Sequence, residues 1–140
     1  MFGAVDPFSG EICLNRVYGR ITSSLCADFL YNLSKRFSED ELIMMEDNAP
    51  WHSKKLVIKI LKDKGVDNIH IIRFPKYSPN MNPCEKLWNW MRETVSHCRY
   101  YKDLNELLDS IWRTYRRIWN NKELGKIRFK TEISIFDKAA

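Results

Sequence analysis

The chain reads as a mixed α/β domain, a sheet flanked by helices, and three observations predict it. Short apolar runs of strand length at 42–45 and 69–74 alternate with segments whose apolar residues recur at helical spacing. A turn signal, Asp6-Pro7-Phe8-Ser9-Gly10, separates two strand-like stretches near the start. A length of 140 residues suits one domain that buries most of its apolar surface in a single core.

The elements follow in the order β-β-α-β-α-β-α-α. Residues 1–21 form a hairpin. Phe2-Gly3-Ala4-Val5 is its first strand, and Ile12, Leu14 and Arg16 alternate with Cys13, Asn15 and Val17 in its second. Ser23 or Ser24 caps a helix carrying Leu25, Phe29, Leu33 and Phe37 on one face. Leu42-Ile43-Met44-Met45 is continuously apolar, as a central strand covered on both faces would be. Ser53 caps the next helix, with Leu56, Val57, Ile60 and Leu61 inward and Gly65 at its end. Strand 69–74 is the parallel neighbour of the strand at 42–45 and stops at Pro75.

Asn82-Pro83-Cys84-Glu85 opens a helix with Cys84, Leu87, Trp88, Met91 and Val95 on one face. Asp103 and Glu106 have the spacing of a capping box for the last helix. Its stripe comprises Leu104, Leu107, Leu108, Ile111, Trp112, Tyr115 and Trp119, which leaves Arg113, Arg116 and Arg117 outside. Residues 1–121 are taken as the domain and 122–140 as a basic tail without clear period.

Composition bounds the function. The net charge of +5 and pI near 9.0 permit a polyanionic partner, with the positive charge concentrated in the last third. The three arginines serve either a solvated helix face or DNA phosphates. Cys13, Cys26, Cys84 and Cys98 are scattered without a C-x-x-C pair, which argues for free buried thiols over zinc or a disulfide framework. No apolar run approaches the ~20 residues of a membrane span, and no secretion signal opens the chain, so a cytoplasmic location is expected.

Two acids stand out. Asp47 follows the apolar strand, and Glu85 falls in the first turn of the Asn82-Pro83 helix. Each has a local use, Asp47 bonding its own turn beside Asn48 and Glu85 closing a capping box. Aimed at one point, they suit a hard divalent cation and metal-assisted phosphoryl transfer, with carboxyl groups within roughly 8 Å. His52 is either a turn residue or a donor to a scissile oxygen.

Together these residues form a pattern. Asp47-Asn48-Ala49-x-x-His52, then a strand, then Tyr77-Ser78-Pro79-x-x-Asn82-Pro83-x-Glu85-x-x-Trp88 resembles the catalytic core of DDE transposases, most nearly bacterial insertion-sequence relatives of the mariner group. The opening FGAVDPFSGE resembles that family's second and third strands. The resemblance implies an RNase H-like fold, magnesium (manganese as substitute) held by Asp, Asp and Glu, and DNA as partner. Asp47 takes the place of the second Asp and Glu85 that of the Glu, 38 positions apart. His52 is an auxiliary catalytic group, while Asn48, Tyr77 and Ser78 fall on motif positions that face nucleic acid.

In that family the first Asp lies on a central strand just before the hairpin with which this chain begins, and Asp6 belongs to the turn. The expectation is therefore an RNase H-like mixed sheet lacking its first central strand. It would derive from a truncated gene or the downstream frame of a split one, and be inactive alone. It would associate with itself or pair with an N-terminal segment. A non-catalytic DNA-binding or transposase-binding module is the alternative, and a plain α/β domain with structural acids is another.

Overall fold

The computed structural model describes residues 1–76 and 82–121, with Lys54 through its backbone alone. Tyr77, Ser78 and the basic tail at 122–140 thus lie outside the described residues. The described chain divides into two compact units, residues 1–2 with 15–76 and residues 3–14 with 82–121.

The first unit is built on α1 (Ser23–Arg36), β3 (Leu42–Glu46), a 3₁₀ turn (Pro50–His52), α2 (Lys54–Asp63) and β4 (Ile69–Arg73). The cap of α1 is Thr22, whose Oγ1 accepts from Leu25 N, rather than either serine. Its buried face runs through Cys26, Phe29, Leu30 and Leu33, and Phe29 stacks on Phe2 at 5.7 Å. Val57 and Leu61 bury the facing side of α2, whereas Leu56 is exposed. Gly65 ends α2 at φ +70, a left-handed position that favours glycine. Lys64 reaches back to Asp28 at 2.7 Å.

β3 and β4 pair in parallel, as expected, with Met44 opposite Ile71 and Glu46 opposite Arg73. Asn68 sets their entry. Its Nδ2 donates to the Phe37 and Asp40 carbonyls, its Oδ1 accepts from Ser34, and its carbonyl accepts from Leu42 N. β3 is not covered on both faces. Ile71 is buried on one side, while Ile43 and Ile72 are 66% and 49% exposed on the other. Continuous apolarity reflects high strand propensity here, not double coverage.

The second unit joins the hairpin to α3 (Pro83–Met91), a π-helical turn (Arg92–Ser96) and α4 (Leu104–Trp119). β1 (Phe2–Val5) and β2 (Ile12–Asn15) flank the Asp6 turn, in which Asp6 accepts from Phe8 N and Ser9 Oγ. β2 stops at Asn15, two residues short of expectation. Ile12, Leu87, Met91 and Ile118 form the core, with Trp88, Ile111 and Tyr115 packed against it. Asn82 caps α3 by accepting from Cys84 N, as the Asn-Pro signal predicts.

The capping box of α4 is displaced: Asp103 accepts from Glu106 N, but Glu106 accepts from Lys102 N instead of the cap's own. Ile118 is the buried anchor of α4, and Leu108, Ile111, Trp112 and Tyr115 are half-buried. Leu104 and Trp119 are 67% and 40% exposed, because the stripe rotates out of the core at both helix ends. Arg113, Arg116 and Arg117 are exposed, as expected.

Among the described residues the strands form two two-stranded sheets, not the one mixed sheet expected. The class is α/β, compatible with an RNase H-like arrangement.

The core of the second unit yields a test. A Cβ on Gly3 would stand 2.7 Å from Trp88 Cη2 and 2.9 Å from Leu14 Cδ2. Gly3→Ala should therefore cost roughly 1–3 kcal/mol through overpacking. Leu87→Ala should cost about 2–5 kcal/mol through its cavity. Urea unfolding followed by tryptophan fluorescence measures both, and an unshifted midpoint for Gly3→Ala would mean the Trp88 ring is not seated there.

Candidate functional site

The parallel ladder outlasts β4 by one bond, Phe74 N donating to Glu46 O at 2.9 Å. Asn48 Nδ2 then donates to Phe74 O, and Arg73 donates to Asn48 Oδ1 and to the His52 carbonyl. The strand end is thus tied to its neighbour on both sides of Asp47. Pro50 at the first position of the 3₁₀ turn and His52 N donating to Ala49 O fold the chain back. That brings the His52 ring against the strand end.

Side-chain parity then separates two acids. Glu46 points inward and is buried, whereas Asp47 is exposed. Asp47 Oδ1 accepts from Ala49 N at 2.9 Å and lies 3.5 Å from His52 Nε2. The turn bond is the local use expected of this residue, and it leaves Oδ2 without a protein partner among the described residues. On the other side of the ring, His52 Nδ1 stands 3.4 Å from Glu46 Oε1 and 3.5 Å from Cys26 Sγ. The approach to Oε1 is close enough for charge attraction but misaligned as a hydrogen bond, so both Glu46 oxygens are buried without a hydrogen-bond partner.

Residue order alone does not single out Cys26 or Glu46. Cys26 sits one position from Leu25, which the helical spacing places on the apolar face. Glu46 is eclipsed by its neighbour Asp47, although a carboxylate at an even spacing from Leu42 and Met44 shares their inward face. Cys26 Sγ, a Glu46 oxygen and a His52 ring nitrogen all lie within 4.8 Å of one another. Burial, and then the charges of Glu46 and Asp47, push the Cys26 thiol up to about 12.

Glu85 belongs to the second unit. It occupies the first turn of α3, with its amide donating to Asn82 O. Its side chain is exposed, and among the described residues its carboxylate closes no capping box.

Residues 1–108 match the model of the DDE superfamily endonucleases. The chain is also 32% identical over 130 residues to the uncharacterized protein y4pE/y4sA of Sinorhizobium fredii (strain NBRC 101917 / NGR234). The alignment covers 89% of this chain and 91% of that protein. The chain belongs to the DDE superfamily endonuclease family. Members of this family generally use a divalent metal and act on DNA. The matched span holds Asp47, His52 and Glu85 and ends before Arg113.

The donors present fit a hard cation. Magnesium takes oxygen ligands and keeps several waters, which exposed carboxylates such as Asp47 and Glu85 accommodate. Cys26 and His52 offer softer sulfur and nitrogen. Among the described residues no helix is long and apolar enough to cross a membrane.

The thiol supplies a second test. In the metal-free chain at pH 8, Cys26 should resist alkylation while the exposed Cys98 labels, because only roughly one Cys26 in ten thousand is thiolate there. Equal labelling rates by mass spectrometry would contradict the buried, neutral thiol. A thiol pKa raised on folding also means that this group's stabilising effect is intact below pH 9 and is lost as pH climbs towards 12.

Proposed function

We propose that the chain is the catalytic part of a transposase of the insertion-sequence/mariner type, acting on DNA by metal-dependent phosphodiester hydrolysis and transesterification. The observation that carries this reading is the exposed Asp47 carboxylate, fixed at a strand end within a span that matches DDE endonucleases. Asp47 and Glu85 are the proposed magnesium ligands, with manganese as substitute. A bound cation would activate the attacking oxygen and offset charge on the leaving one. A bacterial, cytoplasmic and DNA-associated setting goes with this reading.

The chain's own residues act by positioning. The Ala49 amide holds one oxygen of Asp47, with the His52 ring 3.5 Å from the same atom, so its other oxygen is presented in a fixed direction. Both ring nitrogens of His52 already face protein groups. That favours an auxiliary role through Asp47 over direct contact with a phosphate. Arg113, Arg116 and Arg117, together with Asn48, Tyr77 and Ser78, are the proposed nucleic-acid contacts.

Two carboxylates hold two cations poorly. Glu46 is no substitute third ligand, being buried and turned towards His52. Asp6 is committed to its turn. We therefore propose that the third carboxylate comes from a partner segment carrying an Asp on an apolar strand, fused or separate, and that this chain alone cuts little or no DNA. Self-association belongs to the same proposal.

Cleavage of a cognate transposon end tests it. With the partner segment present, cutting should appear in magnesium or manganese, fail in calcium, and vanish in Asp47→Ala or Glu85→Ala. Strong Glu85-dependent cutting by the 140-residue chain alone would overturn the incomplete site. No cutting by the reconstituted protein would favour the alternative, a non-catalytic DNA-binding or transposase-binding module.

DNA affinity gives an independent prediction. Replacing the three arginines with alanine should flatten the log–log salt slope by roughly 2 to 3, since each phosphate no longer neutralised lowers it by about 0.9. An unchanged slope would reduce them to a solvated helix face.

A further inference from the structure

We propose that Cys26, Glu46 and His52 form a binding site for a zinc-class transition-metal ion, separate from the magnesium chemistry of Asp47. The three donors come from α1, β3 and the 3₁₀ turn, so one ion would cross-link three elements of the first unit. Two of their three spacings are already those of a ligand shell. Tetrahedral zinc, with bonds of about 2.3 Å to sulfur and about 2.0–2.2 Å to nitrogen and oxygen, has S···N and N···O edges near ~3.5 and ~3.4 Å. The structure gives 3.5 Å from Cys26 Sγ to His52 Nδ1, and 3.4 Å from Nδ1 to Glu46 Oε1. The remaining edge lies within 4.8 Å, and a side-chain rotation of Glu46 would close it.

Two further observations point to a ligand. Glu46 is 6% exposed, and neither of its oxygens has a hydrogen-bond partner, a costly arrangement that a cation between Glu46 and Cys26 would relieve. The ring nitrogen of His52 that faces away, Nε2, lies 3.5 Å from the Asp47 carboxylate. A histidine that ligates a metal through one nitrogen characteristically donates its other N–H to such a carboxylate. Thiolate, imidazole and a single carboxylate select zinc or cobalt over magnesium or calcium. The fourth position is left to water, reached from the His52 side, where 18% of the side chain is exposed. On binding, the Cys26 S–H bond breaks, its electron pair becomes the S–metal bond, and the proton leaves to solvent.

This site does not depend on the transposase reading, and its test needs no DNA. The full chain, stripped with chelator, is dialysed against zinc and against magnesium, and separately titrated with cobalt(II). About one equivalent of zinc should be retained, with magnesium failing to compete. Cobalt should give a thiolate charge-transfer band that Cys26→Ser abolishes and Cys98→Ser leaves intact. Glu46→Gln and His52→Ala should each weaken zinc binding by more than about tenfold, and Asp47→Asn by roughly tenfold. If a variant fails to fold, the wild-type chain still decides. Zinc should protect Cys26 from alkylation in mild denaturant, as mapped by mass spectrometry, while Cys98 stays reactive. Retention of less than about a tenth of an equivalent, a band that survives Cys26→Ser, or no protection of Cys26 would each overturn the site.

Discussion

The parallel ladder between β3 and β4 is the constraint on which the site depends. Its register pairs Met44 with Ile71 and Glu46 with Arg73, and Phe74 N extends it by one more bond to Glu46 O. Because strand side chains alternate, that register turns Glu46 inward and Asp47 outward. A slip of one residue would bury Asp47 and expose Glu46, exchanging a solvent-facing carboxylate for a sealed one. Asn68 and Ser34 hold the start of the ladder, while Asn48 and Arg73 hold its end, so polar side chains fix the register at both termini.

His52 then links the two acids. Its ring lies between them, Nδ1 towards Glu46 and Cys26 and Nε2 towards Asp47. Anything that orients the ring from the buried side also orients the exposed carboxylate. A metal at Cys26, Glu46 and His52 would therefore serve as a fixed mount for Asp47, in the way outer carboxylates and histidines support one another around metal ions.

Much of this is legible in residue order, for identifiable reasons. Strand existence, the Asn82 cap and the exposed arginines follow from periodicity and capping chemistry, which are local, and the parallel pairing follows from the alternation of strands with helices. Thr22 takes the cap from Ser23 and Ser24 because three adjacent hydroxyl residues compete for one position. Coverage is not legible in the same way. The Leu-Ile-Met-Met run gives no sign of which face a helix will cover, and Ile43 is left open. Leu104 and Trp119 fit a helical stripe whose ends outrun the core. The Cys26–Glu46–His52 group is invisible in the sequence because its members sit 20 and 6 residues apart, with no motif spacing, and meet only when α1 packs beside the strand end. The family pattern draws the eye to Asp47, one residue from the acid that turns inward.

A manganese titration followed by amide NMR tests the outward Asp47 most directly, since the paramagnetic ion broadens only resonances near where it binds. The parity of β3 predicts early broadening that is strongest at Asp47, Asn48 and Ala49 and reaches the neighbouring His52, lost in Asp47→Asn and retained in Cys26→Ser. Broadening that persists in Asp47→Asn, or that centres on Leu30 and Val57 in the packed interior, would contradict Asp47 as the exposed cation ligand.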